Sequence, residues 1–307
     1  MLSGEFFKDL LTQIKLKLAF SPTVEITLEA NPGASEAEKF RLYREAGVNR
    51  LSLGVQSFDD DKLKTLGRVH NALEATKAFH MAREAQIKRI NIDLMFGLPG
   101  QSIIEALLDL KKAIDLDPEH ISWYQLTIEK NTQFYRHPPR LPNDDLIWDM
   151  HIQGCQLLLE AGYIQYEVSA FAKPDEQSRH NLNYWQFGDY LGIGPGAHGK
   201  ITKATGDIFR TRKSRIPNSY LNAITPRVAL DKIPNDELVF EFMLNVLRLK
   251  SGVDTSILKQ RTGLEFDQIK HLWQPLVDKE LVLPNRIATS ELGYQYLNQV
   301  LEVFLTS

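Results

Sequence analysis

The 307-residue sequence predicts an α/β fold: a parallel sheet with covering helices, followed by a small C-terminal domain of winged-helix type. Three observations predict it. Short strands rich in β-branched residues alternate with helices over residues 24–162. The loops between them are short, which favours right-handed crossovers between parallel strands. After Gly199 the alternation stops, and helical periodicity returns near residue 235.

A helix opens the sequence, because residues 4–18 (GEFFKDLLTQIKLKL) space apolar side chains at helical intervals behind Ser3, a good N-cap. Four strand-and-helix pairs follow: 24–30 with 35–47, 50–57 with 72–85, 89–97 with 102–116, and 120–128 with 145–162. Ser35 and Glu38 predict a capping box for the first paired helix, and Gly47 predicts its C-cap. Residues 166–173 (YEVSAFAK) predict a further strand.

The C-terminal third predicts a connector and a helical domain. Residues 201–234 contain the charged stretch RTRKSR and three prolines, which is typical of a connector. Helices are predicted over DELVFEFMLNVLRL, DTSILKQRTG, DQIKHLWQPLVDKE and ELGYQYLNQVLEVFL, with a strand-turn-strand wing at LVLPNRIATS. The predicted domain boundaries are therefore 1–200, 201–234 and 235–307. Acidic residues along the helices favour packing or partner contact over DNA binding.

Composition excludes several classes of partner. The formal net charge of -3 gives no basic field that would attract nucleic acid. No apolar run reaches the roughly 18 to 20 residues that span a bilayer, and the first residues do not follow a signal-peptide plan. We therefore predict a cytoplasmic protein. The one cysteine, Cys155, cannot make an internal disulfide or supply the three or four thiolates of an iron–sulfur cluster, and its helical context predicts a buried packing role.

Polar residues mark the carboxyl ends of the predicted strands, where parallel sheets bind ligands. They are Glu29, Asn31, Gln56, Arg68, Asp93, Gln125 and Thr127. Together they suit a zwitterionic ligand with hydroxyl groups: Arg68 would pair with a carboxylate, and Glu29 or Asp93 would accept from an amine or a ribose. Taken singly, each is equally explained as a helix cap or a surface ion pair. The GLPGQ stretch at 97–101 predicts a tight turn with or without a ligand beside it.

The stretch HNLNYW at 180–185 predicts a loop that carries more aromatic surface than a turn needs. A histidine beside large aromatic side chains indicates a surface for a flat ligand, since imidazole binds iron and aromatic faces cover a porphyrin. The residues alone leave an alternative open: His180 bonds locally, and Tyr184 and Trp185 anchor the loop.

Five motifs in this order carry a family resemblance: EITLEANPG, GVNRLSLGVQSFDDDKLKTLGRVH, INIDLMFGLPGQ, HNLNYW and DYLGIGPGAH. They resemble the radical S-adenosylmethionine (SAM) family of oxygen-independent coproporphyrinogen III oxidase, and most closely its haem-chaperone branch. The resemblance covers nearly the whole chain. It implies a partial (β/α)6 barrel, SAM in the barrel mouth and a [4Fe-4S] cluster.

The resemblance also implies site residues. It places Glu29, Gln56, Arg68 and Asp93 on SAM, with Thr127 and His198 nearby. It assigns haem binding to the HNLNYW motif. His180 would be the ligand of the haem iron, Tyr184 and Trp185 would pack against the porphyrin, and Arg179 is a candidate partner for a propionate.

The sequence departs from the family pattern at the cluster. The family binds it with a Cys-x-x-x-Cys-x-x-Cys loop and contacts the methionyl group with a Gly-Gly-Gly-Thr-Pro run, and neither occurs here. The chain starts where the segment after that run would start, so we expect two strands and the cluster loop to be missing by truncation, in preference to a degenerate relative. We expect no radical chemistry from these residues as they stand.

Three functional hypotheses follow. The leading one is a haem-binding chaperone that delivers haem to apo-proteins, among them respiratory ones, with peripheral membrane association. The alternative is an oxygen-independent coproporphyrinogen III oxidase, which decarboxylates two propionates by radical chemistry and would need the absent cysteines. The third is a cluster-free binding module in which the SAM pocket survives as a vestige.

Overall fold

The computed structural model describes residues 3–33, 37–223 and 227–305, and it divides into two compact units, 1–177 and 178–307. The first unit is α/β, as the sequence predicts. The boundary after Gln177 differs from the predicted one after residue 200, and the predicted connector 201–234 carries strands. Within the described residues, no helix has the length and apolar character needed to cross a membrane.

The first unit is built on a six-stranded sheet. Its strands are β1 (Thr27–Ala30), β2 (Arg50–Gln56), β3 (Arg89–Phe96), β4 (His120–Gln125), β5 (Ile164–Glu167) and β6 (Ala170–Ala172). Their spatial order is β1-β2-β3-β4-β6-β5. Strands β1 to β4 are parallel neighbours, which confirms the predicted repeat of strand and helix.

The helices of the first unit begin where the sequence supplies caps. They are α1 (Gly4–Lys17), α2 (Ala37–Ala46), α3 (Asp60–Thr65), α4 (Ala72–Glu84), α5 (Ile103–Asp115), α6 (Gln133–Arg136) and α7 (Asp144–Glu160). The Ser3 hydroxyl accepts from Phe6 N, and capping boxes open α4 at Asn71 and α5 at Ser102. The predicted capping box at Ser35 lies outside the described residues.

The prediction of one strand over residues 166–173 is wrong. Residues 164–172 form a tight antiparallel hairpin of β5 and β6, and β6 also pairs antiparallel with β4. The turn is stabilised by Ser169 N, which donates to Glu167 Oε1 at 2.9 Å. A local side-chain bond of this kind favours chain reversal, so β6 runs opposite to the first four strands and β5 runs in the same direction as they do.

The helices cover an apolar face of this sheet. Ile90, Ile92 and Leu94 of β3 are completely buried, and they belong to one core with Leu51 and Leu53 of β2. Burial of about 25 cal/mol per Å² of such surface is the main stabilising contribution to the unit. Since side chains alternate along a strand, residues between these positions lie on the other face.

The second unit has a three-stranded antiparallel sheet and seven helices among its described residues. The strands are β7 (His198–Thr202), β8 (Ile208–Lys213) and β9 (Arg227–Lys232). The helices are α8 (Arg179–Trp185), α9 (Pro217–Asn222), α10 (Asn235–Val246), α11 (Thr255–Thr262), α12 (Phe266–Asp278), α13 (Glu291–Gln295) and α14 (Leu297–Glu302). The predicted last helix is interrupted at Tyr296, and the predicted wing is limited to the bridges Val253–Ile287 and Val282–Thr289.

Candidate functional site

One face of the first unit's sheet carries a row of polar side chains. Glu29 of β1 pairs in register with Ser52 of β2, and Ser52 pairs with Asn91 of β3. Two residues further along β3, Asp93 pairs with Ser122 of β4. Because side chains alternate along strands, these residues share the face opposite the apolar core. The sheet therefore has a continuous polar face opposite its apolar one.

Asp93 is the carboxylate at the centre of this surface. Its Oδ2 accepts from Ser52 Oγ at 2.9 Å, and its Oδ1 accepts from Asn91 Nδ2 at 2.7 Å. Burial raises the pKa of Asp93 above its usual value, and these hydrogen bonds from Ser52 and Asn91 oppose the rise. The carboxylate is held by donors on neighbouring strands, so its orientation is fixed before any ligand arrives.

Asn91 links Asp93 to a buried histidine. Its Nδ2 also donates to Ser52 Oγ at 2.7 Å, and its Oδ1 accepts from Ser122 Oγ at 3.1 Å and lies 2.6 Å from His120 Nδ1. The other ring nitrogen of His120 lies 2.9 Å from the Tyr166 hydroxyl. Sequence reasoning missed this network, although polar residues at every second position of RINIDLM and HISWYQ indicate a second, polar strand face.

Gln56 ends β2 in an unusual conformation. The register of β2 and β3 shifts between Leu53 and Gln56, and Gln56 has a φ of 70°, which few non-glycine residues adopt. Its side chain is buried, and Oε1 accepts from the Tyr124 hydroxyl at 2.6 Å. Gly54 leaves room here, since an added Cβ would lie 3.0 Å from Gln56 Nε2 and 3.1 Å from Asn31 Oδ1. The glycine thus admits the Gln56 and Asn31 side chains, and the strained conformation of Gln56 at a strand end is a feature of ligand sites.

Arg68 and Glu29 complete the group. Arg68 Nη1 donates to Asn31 Oδ1 at 3.3 Å from the turn after α3. Burial raises the pKa of Tyr124 to about 12, with Asp93 and Glu29 adding to the rise and Arg68 opposing it. Charged groups act on one hydroxyl in this way only from nearby. The structure thus brings together the four predicted side chains Glu29, Gln56, Arg68 and Asp93 around Tyr124.

Two other predicted positions make contacts outside this group. Gln125 is on the opposite strand face, where its Cγ would contact a Cβ added at Gly97 at 3.6 Å. Thr127 is exposed two residues past β4, and its hydroxyl donates to Glu129 Oε1 at 3.1 Å. The side chain at this end of β4 that lies on the polar face is therefore that of Tyr124 and not that of Gln125. The role of Thr127 stays a prediction.

The predicted turn at 97–101 is confirmed. Gly97 and Gly100 have φ values of 70° and 64°, which favour glycine. Gln101 closes the turn by accepting from Leu98 N at 3.1 Å, and Lys62 Nζ donates to Gly100 O at 3.1 Å. The turn conformation and these contacts account for the glycines without a ligand. A ligand beside this turn stays a prediction.

The HNLNYW motif is a helix, α8, and the prediction of a loop is wrong. Helical spacing places His180 and Tyr184 one turn apart, and both are exposed. Their rings are 6.3 Å apart in an edge-to-face arrangement. The His180 Nδ1 lies 2.9 Å from the hydroxyl of Ser178, which is buried. The helix therefore presents an imidazole and a phenol on one solvent face, with the imidazole oriented by a side chain at its base.

The other side of α8 packs into the second unit. Leu182 and Trp185 contact a core that includes Phe187 and Phe242, and the Arg248 guanidinium lies 4.3 Å from the centroid of the Trp185 ring. Asn183 Nδ2 donates to Asp189 O at 3.0 Å, and Gly188 is required beside it because a Cβ would overlap the Asn183 side chain. The second asparagine of the motif thus fixes the turn after the helix.

The remaining predicted haem and SAM residues of the second unit are exposed. Arg179 is the first residue of α8, and His198 begins β7, where it pairs in register with Arg212 of β8. Tyr190 packs against Tyr184, with ring centroids 4.6 Å apart. The aromatic surface near His180 is therefore larger than the motif itself indicates.

The described residues contain no ligand set for a metal cluster. Among residues 3–33, 37–223 and 227–305, no group of three or more histidine, cysteine or acidic side chains could hold a metal ion. Cys155 is half-buried on α7, and its Sγ lies 3.6 Å from His151 Nε2. The cysteine is therefore less buried than the sequence predicts.

Comparisons with known proteins agree on a family. The Radical SAM superfamily model matches residues 2–113, and the HemN C-terminal domain model matches residues 233–285. The chain is 48% identical to the heme chaperone HemW of Haemophilus influenzae over 100% of this chain and 80% of that protein. It is 46% identical to the heme chaperone HemW of Escherichia coli, covering 99% and 81%.

A solved structure extends the comparison to the fold. Coproporphyrinogen III oxidase (HemN) from Escherichia coli, a radical SAM enzyme, matches with a TM-score of 0.80 and 20% identity, covering 99% of this chain and 74% of that one. The expected radical SAM fold with a HemN-type C-terminal region is thereby confirmed.

Proposed function

The chain belongs to the HemW family of the radical SAM superfamily, and on that premise we propose that it binds haem and delivers it to apo-proteins. HemW relatives from several bacteria, including one from Bacillus subtilis at 36% identity, are described as heme chaperones. Delivery requires a site from which the haem can leave, and an exposed binding surface meets that requirement better than a closed pocket.

The observation that carries the proposal is the solvent face of α8. His180 and Tyr184 are exposed one helical turn apart, and buried Ser178 orients the His180 ring. Imidazole is the commonest haem ligand among side chains, and a hydrogen bond to one ring nitrogen directs the ring. His180 would bind the haem iron, and Tyr184 would pack beside the porphyrin.

The packing of α8 divides the motif between two roles. Trp185 faces the hydrophobic core under Arg248, so it supports the helix and offers the porphyrin at most an edge. Arg179 is exposed at the start of α8, and its charge suits a haem propionate. The proposed haem site thus consists of His180, Tyr184 and Arg179 on a helix that Trp185 anchors.

Titration with haem tests this assignment. The wild-type chain is expected to give a Soret band that saturates, and His180→Ala to weaken haem binding at least tenfold. His271→Ala is a matched control, because His271 is an exposed histidine on α12 of the same unit. Equal affinity of the His180 variant and the wild type would refute His180 as the ligand.

We propose further that the polar face around Tyr124 binds SAM. The fit is supported by the oriented Asp93 carboxylate and by Arg68 and Glu29 nearby. Asp93 or Glu29 would accept from a ribose hydroxyl or the amino group, and Arg68 would pair with the carboxylate. When bound to a reduced cluster, SAM supplies a radical in proteins of this superfamily.

The cluster itself does not fit these residues. The 307 residues contain one cysteine, and the described part of the chain offers no cluster of metal ligands. We therefore derive no radical step from them, and the relatives described as heme chaperones support the haem function over the oxidase alternative. The cytoplasmic location, the respiratory recipients and peripheral membrane association stay predictions.

A further inference from the structure

Tyr124 occupies the centre of the proposed SAM site, yet neither the motifs nor the resemblance single it out. It lies on β4 with its hydroxyl 2.6 Å from Gln56 Oε1 at the end of β2, so the bond spans the intervening strand β3. Both strands end at the same edge of the sheet. This hydrogen bond therefore fixes the Tyr124 side chain of β4 relative to the Gln56 side chain of β2, although the two strands are not neighbours.

The bond determines which end of the Gln56 amide meets the ligand. With Oε1 accepting from Tyr124, Nε2 lies on the side of Gly54, 3.0 Å from the position of an added Cβ. If the amide were reversed, the phenol would have to accept from Nε2, and its own proton would lose this acceptor. Shielded hydroxyl groups are costly without an acceptor, so the observed orientation is favoured.

Burial helps to keep Tyr124 a donor. Burial and the nearby Asp93 carboxylate raise its pKa to about 12, so the phenol stays protonated near neutral pH. It therefore donates to Gln56 throughout the physiological range. Asn31, which accepts from Arg68 Nη1, lies on the same side of Gly54 as Gln56 Nε2.

We propose that Tyr124 is a positioning residue of this site, which keeps the Gln56 amide nitrogen turned toward the bound SAM. The inference rests on the SAM site proposed above. It assigns Tyr124 an action through Gln56 and no direct role in any reaction. A ligand oxygen or nitrogen that accepts from Gln56 Nε2 would then be recognised without reorganisation of the amide.

Calorimetric titration of the 307-residue chain with S-adenosylhomocysteine tests the proposal, because this analogue lacks the sulfonium and cannot be cleaved. Tyr124→Phe is expected to weaken binding about five- to tenfold, the effect of one lost hydrogen bond. Gln56→Ala should weaken it at least as much. The double variant should bind no more weakly than Gln56→Ala, because Tyr124 has nothing left to position.

Tyr163→Phe is the control, since the Tyr163 hydroxyl donates a bond of similar length, 2.7 Å, to a different acceptor, Pro118 O. This variant should bind like the wild type. Wild-type affinity in Tyr124→Phe, or losses that simply add in the double variant, would overturn the positioning role alone. No binding by the wild-type chain would overturn the SAM site and this role with it.

Discussion

The guanidinium of Arg248 lies 4.3 Å from the ring centroid of Trp185, on the side of α8 opposite His180. This contact joins the aromatic end of the HNLNYW motif to the core of the second unit. Because the exposed residues of a short helix are oriented only as well as the helix is anchored, the contact bears directly on haem binding.

Replacement of Arg248 by alanine should therefore loosen α8. We expect the free energy of unfolding to fall by about 1 kcal/mol, the usual size of a partly buried cation–π contact, and haem affinity to fall with it. Chemical unfolding followed by tryptophan fluorescence, with haem titration alongside, measures both. Lys203→Ala removes another cation–π contact, to Phe209 in the same unit, and should leave haem affinity unchanged. Unaltered haem binding in the Arg248 variant would show that haem affinity does not depend on this anchor of α8.

Asp93 predicts how analogue binding depends on pH. Its folded-state pKa is raised, with burial as the largest cause, so the carboxylate gains a proton at a higher pH than an ordinary aspartate does. As the pH is lowered, S-adenosylhomocysteine affinity should therefore begin to fall at a higher pH than it would with an ordinary aspartate at this position. Asp93→Ala should lower the affinity at least tenfold at neutral pH. Asp61→Asn alters an exposed carboxylate and should bind normally. A pH-independent affinity would argue against a carboxylate ligand.

Asp109 should make the stability of the first unit depend on pH. Its carboxylate accepts from Ser57 Oγ at 2.6 Å and from Phe58 N at 2.7 Å, directly after Gln56. Burial raises its pKa to about 6. Since the folded state then binds the proton more tightly than the unfolded state, whose pKa is about 3.9, ionisation of Asp109 disfavours folding as pH rises between those values.

The unfolding free energy of the wild type should accordingly decrease by about 2 kcal/mol from pH 4 to pH 6 relative to Asp109→Asn, which cannot ionise. Urea unfolding at several pH values measures the difference. Asp115→Asn, an exposed change on the same helix, should show no such slope. A difference curve that is flat, or that rises with pH, would contradict the assignment.

Gly154 should tolerate no side chain. It lies on α7 against the ring of buried Trp123, and an added Cβ would overlap that ring. Gly154→Ala is therefore expected to destabilise the first unit by about 2 kcal/mol or more, since overpacked cores force rigid side chains to move. Cys155→Ala, one residue along, should cost less because Cys155 is only half-buried. Thermal unfolding compares the two, and equal melting temperatures for Gly154→Ala and the wild type would refute the close packing.

The parallel part of the fold could be predicted because each strand and helix there has its own periodicity and cap. The hairpin of β5 and β6 could not, since YEVSAFAK has the pattern of one strand and the turn at Val168 and Ser169 depends on a local bond from Ser169 N to Glu167. The segment 201–234 has the pattern of a connector because of its charges and prolines. In the structure Arg210 pairs with Glu241 and Arg212 with Asp231, so these charges are compatible with strands.

The candidate sites were predictable in residue type and less so in geometry. The sequence predicts Glu29, Gln56, Arg68 and Asp93 at or just beyond strand ends, where chain order alone indicates a shared edge. In the structure Asp93 lies within β3 and Arg68 follows α3. Tyr124 and Asn91 were missed because a polar residue within a strand is ordinarily explained by solvent exposure, and only the register shows which neighbours it meets. A helix could not be predicted at HNLNYW because α8, which is this motif with Arg179, has only seven residues, too few for a clear helical period.

Rescue with free imidazole is the most direct test of the central claim that His180 on the exposed face of α8 binds the haem iron. The absorption spectrum of the haem complex should change in His180→Ala, and added imidazole should restore the wild-type Soret position, since it replaces the lost ligand without repairing any other contact. A variant whose spectrum matches the wild type before imidazole is added would contradict the account.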